Sequence, residues 1–356
     1  MYCMKHNFII RFVLLLIYIG CAIQYSFGQQ TIPFKSITID TILKDNISIR
    51  GILIDKSMVW YAADKGRFGS IDLDKRIKTQ NKITRDTLKI EFRSIAATDN
   101  TIFFANIGNP ALIYKTDKDF TAQQFVYFES HEKVFYDSMQ FWNNLEGIAI
   151  GDPIENCFSI IITRDGGKTW SKLSCDNLPK LDVGEAAFAA SNTNIVIKGD
   201  KTWLVSGGTK ARIYYSDDKG KTWQVYPTPI VQGKSMTGIF TADFYDEKNG
   251  VIAGGDYDNP NQNYANKAIT SDGGKTWKLI GENTGFGYAS CIQYVPESNA
   301  MELVCVGATG IHYSSDGGNT WKKFADDPDL YTIRFENKNT AVAAGRNKII
   351  RIHFKK

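Results

Sequence analysis

TSDGGKTW (270–277) recurs in slightly altered form as TRDGGKTW (163–170), SDDKGKTW (216–223) and SSDGGNTW (314–321). All four read Ser/Thr-x-Asp-x-Gly-x-Thr-Trp, and each follows a short apolar run such as FSIIIT or ARIYYS. These residue types make a hairpin turn. The hydroxyl and the carboxylate bond nearby backbone N–H groups, the second Gly suits a positive φ, and the Trp opens the return strand and packs on the sheet. The stretch is an Asp-box, or BNR repeat. Asp165, Trp170, Asp218, Trp223, Asp272, Trp277, Asp316 and Trp321 are its structural residues.

The box tryptophans are spaced by 53, 54 and 44 residues. Strand-like content repeating at 40 to 50 residues points to a β-propeller. Each repeat runs strand, turn, strand often ending in Gly, strand, box, strand. Weaker versions precede the clear ones, at 49–83 and at 92–128, where YKTDKDFTAQQF resembles a box without its Gly and Trp. After the last Trp, 331–354 supplies three strands, one short of a blade. FKSITID (34–40) is a strand without a blade. The expectation is therefore all-β: seven four-stranded antiparallel blades, the last completed by the N-terminal strand, which removes exposed sheet edges.

Residues 1–28 read as an export signal, with Lys5 and Arg11 before the apolar run 12–19 and small residues ahead of Gln29. A lipoprotein signal processed at Cys21 is the alternative. Residues 29–356 then form a single propeller domain in the periplasm, at the cell surface or outside the cell. No later run is long enough to span a bilayer. Loss of Lys5 and Arg11 takes the formal charge from +4 to +2, which argues against nucleic acid as a partner.

Four cysteines remain in the mature chain. Cys157 and Cys175 flank the first box, and Cys291 and Cys305 lie symmetrically about PESNA. Both pairs are candidate disulfides in an exported protein; buried free thiols are the alternative.

In a propeller blade the turn between strands three and four lies on one face. The loop between strands two and three lies on the other, as does the entry to each blade. The loops opposite the boxes are GDPIENC (151–157), SGGTKAR (206–212) and GGDYDNPNQNYANK (254–267), with the blade entry GEAAFAAS (184–191) beside them. Asp152, Glu185, Arg212, Asp256 and Tyr257 are expected to converge on one mouth as ligand-binding residues. Lys65, Arg67 and Arg346 come from equivalent loops. Taken singly, each is also readable as a loop-locking or solvated residue. Asp256-x-Asp258 lacks a full ladder of calcium ligands, and the histidines lack metal-ligand spacing, so neither a metal nor a cofactor is expected.

On FWNNLEGIAIGDP, GEAAFAASNTNI, GGTKARIYYSDDKGKTW and GVIAGGDY, the chain resembles the photosystem II assembly and stability factor-like family of seven-bladed Asp-box propellers, and more closely their exported bacterial relatives. That resemblance implies a binding platform that assists assembly of other proteins, with no established catalytic set. Nothing in it implies photosynthesis for this chain. The enzymatic rival is a sialidase or another Asp-box glycosidase. A sialidase needs an arginine triad and an Arg-Ile-Pro; the nearest stretch is FRSI (92–95), without Pro. Another glycosidase would use two carboxylates from Asp152, Glu185 and Asp256. A carbohydrate-binding protein without turnover is the third reading. Gly-Lys-Thr at 167, 220 and 274 lacks the upstream Gly of a phosphate loop, and no G-x-S-x-G elbow is present. No catalytic residue is assigned, and neither the partner nor the oligomeric state is legible.

Overall fold

A computed structural model describes residues 32–356. The expected leader, with Cys21, lies outside the described residues. Lys35–Lys355 forms one compact unit, and it is an all-β propeller of antiparallel sheets.

Four sheets have four strands each. The first is Phe92–Ala97, Thr101–Asn106, Ala111–Asp117 and Gln123–Glu129, and the next is Tyr136–Phe141, Gly147–Gly151, Ser159–Thr163 and Ser171–Lys172. Ile195–Lys198, Lys201–Val205, Arg212–Ser216 and Gln224–Pro227 form the third, and Ala289–Tyr294, Leu303–Gly307, Gly310–Ser314 and Lys322–Ala325 the fourth. A fifth blade (Thr237–Phe244, Gly250–Asp256, Lys267–Thr270, Lys278–Leu279) gains two short strands, Glu185–Ala186 and Gly207–Gly208, at its inner edge.

The sixth sheet corrects the blade count. Hydrogen bonding among the described residues gives six blades, not seven. Ser36–Asp55 and Thr340–Lys355 are each one unbroken strand, so the strands expected for the first and last blades share a single six-stranded sheet. Within it Ser36 to Asp40 pair with Lys355 to Arg351, while Gly51 to Asp55 pair with Ala62 to Met58. Strand continuity comes from the absence of Gly or Pro between Ser36 and Arg50. No helix among the described residues is long and apolar enough to cross a membrane.

The first strands of successive sheets pack against one another and line the axis. Apolar cores fill the wedges between neighbouring sheets. One holds Phe103, Met139, Ala149 and Trp170; another holds Ile148, Ile160, Leu204 and Tyr214.

The boxes are built as the residues require. Thr163 Oγ1 donates to Asp165 Oδ1 (2.9 Å) and accepts from Gly167 N (2.9 Å); Asp165 Oδ1 accepts from Lys168 N and Thr169 N (both 3.0 Å). Ser216/Asp218, Thr270/Asp272 and Ser314/Asp316 repeat the same core of bonds. Burial alone would raise these carboxyls. The amide and hydroxyl donors outweigh it and hold Asp165, Asp218 and Asp272 at about 2. Gly167 and Gly318 sit at φ +71° and +86°, and a Cβ there would meet the Phe103 ring and Ile280 Cδ1 at 2.2 and 2.3 Å. The second Gly thus serves both the turn and the seam to the preceding blade. Each box also touches the hairpin turn between its own blade's first two strands, as in Gly166 N to Leu145 O and Gly273 N to Lys248 O.

Cys157 and Cys175 form a disulfide with Cα atoms 5.6 Å apart. Cys291 and Cys305 are free and buried. Cys291 pairs with Val306 and Cys305 with Ile292. The one-residue offset puts the two thiols on opposite faces of the sheet, so their symmetry about PESNA does not make them neighbours.

Candidate functional site

One backbone device recurs at the entry to the innermost strands. In six places the ladder skips a residue: Arg50, Arg93, Asp137, Phe240, Ser290 and Tyr331. Each is a β-bulge, which bends the strand and re-aims a side chain. The local pattern is apolar, bulge residue, small residue, apolar: IRGI (49–52), FRSI (92–95), YDSM (136–139), IFTA (239–242), ASCI (289–292) and LYTI (330–333). FRSI, the nearest approach to a sialidase motif, is one copy of this repeat. The small residue (Gly51, Ser94, Ser138, Thr241, Cys291 or Thr332) leaves room where the strands crowd the axis.

The blade that begins with Ile195–Lys198 breaks the pattern. Its entry, residues 188–194, runs into the centre and stoppers the axis. Asn192, at φ 59°, accepts from Ser138 Oγ and Met139 N (both 3.1 Å) and donates to Ile95 O (2.8 Å). Ser191 Oγ donates to Ser290 O (2.6 Å), and Thr193 Oγ1 to Thr241 Oγ1 (2.8 Å). Arg334 Nη2 donates to Ser191 O and Asn192 O, and Arg50 Nη1 to Ala190 O (3.1 Å). Every other sheet therefore bonds to this plug. Ser191, Asn192 and Thr193 suit it, because each brings a donor and an acceptor into a crowded, buried space; the Asn194 side chain, also buried, finds no partner among the described residues.

Above the plug, on the face opposite the boxes, the bulge residues and their neighbours form the mouth. Phe188 stacks on Phe240 with centroids 3.9 Å apart; Tyr288 meets Phe240 edge-on at 4.8 Å and Tyr257 at 5.1 Å. Arg50 lies over the Tyr331 ring at 4.2 Å. Burial, then repulsion from Arg93, pushes its pKa down, and no carboxylate among the described residues pairs with it. Arg346 Nε donates to Tyr331 Oη (3.3 Å) and lies 3.6 Å from Asp329. Arg50, Tyr257, Tyr288, Asp329, Tyr331 and Arg346 line an open cavity of about 310 Å³.

The five residues expected at the mouth separate into distinct roles. Glu185 is buried and fully engaged: Arg212 Nε (3.0 Å), Tyr214 Oη (2.8 Å) and Ser206 Oγ (2.6 Å) reach Oε1, while Asp182 N (3.1 Å) and Arg212 Nη2 reach Oε2. Glu185 and Arg212 are thus one internal clamp at the root of the plug. Asp256 is turned into its own loop, accepting from Asp258 N (3.0 Å) and Asn259 N (3.2 Å), with Lys234 3.4 Å away. Tyr257 is 47% exposed and belongs to the aromatic wall. Asp152 accepts from Ala187 N (3.0 Å), and burial lifts its pKa to about 6. Of the other loop cations, Arg67 is held by Asp64 and Asp45.

Asp137 was not legible as a site residue. It is fully buried, and among the described residues neither carboxylate oxygen makes a well-formed hydrogen bond. Burial and the Asp152 carboxyl raise it well above the ordinary carboxylate range, against weaker pulls from Arg93 and the Ala189 amide. Arg50, Arg93, Phe188, Phe240, Tyr288 and Tyr331 also went unread. For Arg50, Arg93, Phe240 and Tyr331 the signal was the bulge tetrapeptide, visible only when the first strands are aligned on one another; Phe188 and Tyr288 lie outside it.

The BNR/Asp-box repeat family matches residues 161–172 and 214–225. No curated protein matches the chain. Among solved structures it is similar to YCF48 bound to D1 peptide, at 15% identity and a TM-score of 0.65, covering 92% of this chain and 98% of that one. YCF48 from Cyanidioschyzon merolae follows at 11% and 0.61, covering 89% and 98%. The GH74 xyloglucanase from Xanthomonas campestris is similar at 11% and 0.63, covering 88% of this chain and 53% of that one. At these identities the likeness establishes the propeller and nothing finer.

Proposed function

We propose that this protein is an exported, non-catalytic binding scaffold that receives a segment of a partner protein at the mouth opposite the Asp-boxes. The observation that carries the reading is the bulge set. One backbone device is repeated six times with five different residue types, and its side chains gather around residues 188–191 beside an aromatic, arginine-flanked cavity. Aromatic rings on a rigid frame, here with Tyr257 exposed at the rim, are what peptide recognition uses. The YCF48 propeller bound to a D1 peptide supports the class of ligand. Export is supported by the Cys157–Cys175 bridge, since such bonds persist in oxidising compartments.

A glycosidase would need two available carboxyls. Glu185 has both oxygens engaged by four donor residues, and Asp256 is engaged by its own loop. Asp152 is the remaining candidate acid.

Selection of peptides from a random displayed library against the purified protein tests the proposal. Enriched peptides are expected to lose about ten-fold or more in affinity on Tyr257→Ala combined with Arg50→Ala. Turnover of a glycan that disappears in Asp152→Asn would replace the scaffold with an enzyme.

A further inference from the structure

The four box tryptophans hold equivalent places but differ in surroundings. Trp170 is buried between Phe103 (6.3 Å, 75°) and Phe141 (5.8 Å, 86°); Trp277 stands edge-on to Phe244 (6.1 Å, 87°), and Trp321 to Phe286 (4.7 Å, 82°). Trp223, half-buried like Trp277 and Trp321, makes no such aromatic contact among the described residues. It lines an open groove of about 730 Å³ between the 163–170 and 216–223 boxes.

The groove has the chemistry of a sugar site. Its apolar surfaces are Trp223, Ile162 and Leu173. Trp223 Nε1 already donates to Gly220 O (3.2 Å), so the indole asks for no polar partner and offers its ring. Gly220, at φ +76°, lets the ring lie close, since a Cβ there would stand 3.2 Å from Trp223 Cζ2. Ser171 and Asn177 stand on the same groove, and among the described residues neither side chain makes an internal hydrogen bond. Arg164 is fixed by Glu146 (2.8 Å), which it shares with Lys219, and by Lys219 O (2.7 Å), which orients it. A flat apolar ring edged by a hydroxyl, an amide and a pre-set guanidinium fits the C–H face and hydroxyls of a pyranose.

We infer that the groove between these two boxes, with Trp223 as its platform and Ser171, Asn177 and Arg164 at its edge, binds a neutral pyranosyl unit of a glycan. The site is independent of the mouth and involves no turnover. It would let the protein hold a polysaccharide on one side and a protein on the other.

Calorimetric titration of the whole protein with cellohexaose, maltohexaose, laminarihexaose and a xyloglucan heptasaccharide, each to about 10 mM, decides it. At least one is expected to bind with a change in indole fluorescence. Trp223→Ala should weaken that binding at least about ten-fold, while Trp277→Ala and Arg50→Ala leave it unchanged. Ser171→Arg, an exposed change that fills the groove without touching the box, should also abolish binding while the melting temperature is kept. Failure of all four sugars to bind, or binding undiminished by both Trp223→Ala and Ser171→Arg, overturns the inference. So does a groove that takes selected peptides and no sugar. None of these results bears on peptide capture at the mouth.

Discussion

The Asp-box turns and the mouth sit at opposite ends of the same strands and handle polar groups in opposite ways. In the boxes one set of bonds is made four times over, and the serine or threonine hydroxyls and aspartate carboxylates are consumed within eight residues of chain. At the mouth the backbone repeats and the side chains do not. Arginine, aspartate, phenylalanine, serine and tyrosine occupy equivalent bulges, and among the described residues Arg50 and Asp137 lack a partner of opposite charge within ion-pair distance. Repetition marks what the fold needs in every blade. Divergence on a repeated frame marks what the fold leaves free to vary from blade to blade.

The sharpest way to break that contrast is at the clamp, where mouth residues behave structurally. Arg212→Met leaves Glu185 charged and buried, and is expected to cost about 3–5 kcal/mol in chemical denaturation. A cost near zero would mean that Glu185 is free to serve a ligand. Asn192→Ala orphans Met139 N–H, Ser138 Oγ and Ile95 O in the plug. A loss of about 3 kcal/mol is expected, and a small loss would show that the plug is not what ties the sheets.

Asp152→Asn should have the opposite sign. The folded pKa of Asp152 is raised to about 6 from 3.8. The folded state therefore keeps a proton that the unfolded chain has already released, and stability present below pH 4 is lost as pH rises through about 6. The isosteric amide removes that loss, so the variant should be more stable than the parent at pH 7 by on the order of 2 kcal/mol and equal to it near pH 4. Melting curves across that range check the sign.

The boxes titrate the other way. Asp165, Asp218 and Asp272 are depressed to about 2, so their contribution is present above pH 4 and fades as pH falls toward 2. Asp165→Ala and Asp272→Ala are each expected to cost about 1 kcal/mol at neutral pH, as lost caps do, and to cost the same as one another. Unequal costs would break the equivalence of the boxes. Lys168→Ala, on the exposed side of a box, should change stability by less than about 0.5 kcal/mol.

The propeller was legible because its evidence is local. Ser/Thr, Asp, Gly and Trp at fixed spacing act within one hairpin, and four copies leave little room for another reading. Blade count was not legible, because it depends on whether the chain from Ser36 to Asp55 bends or runs straight, and no residue there marks a break. The candidate site was less legible. Loop composition singled out the face opposite the boxes, yet Glu185 and Arg212 had spent their charges on each other, and no spacing could reveal that pairing 27 residues apart. Cys291 and Cys305 failed for a related reason: the turn between them offsets the strands by one.

Repeat, turn chemistry and strand order were determined by the residues alone, since each rests on neighbours within a few positions. The joined six-stranded sheet, the plug through the axis, the spent and unspent charges and the open indole at Trp223 were decided only in three dimensions. Each depends on which distant groups arrive first at a limited number of donors, acceptors and apolar surfaces.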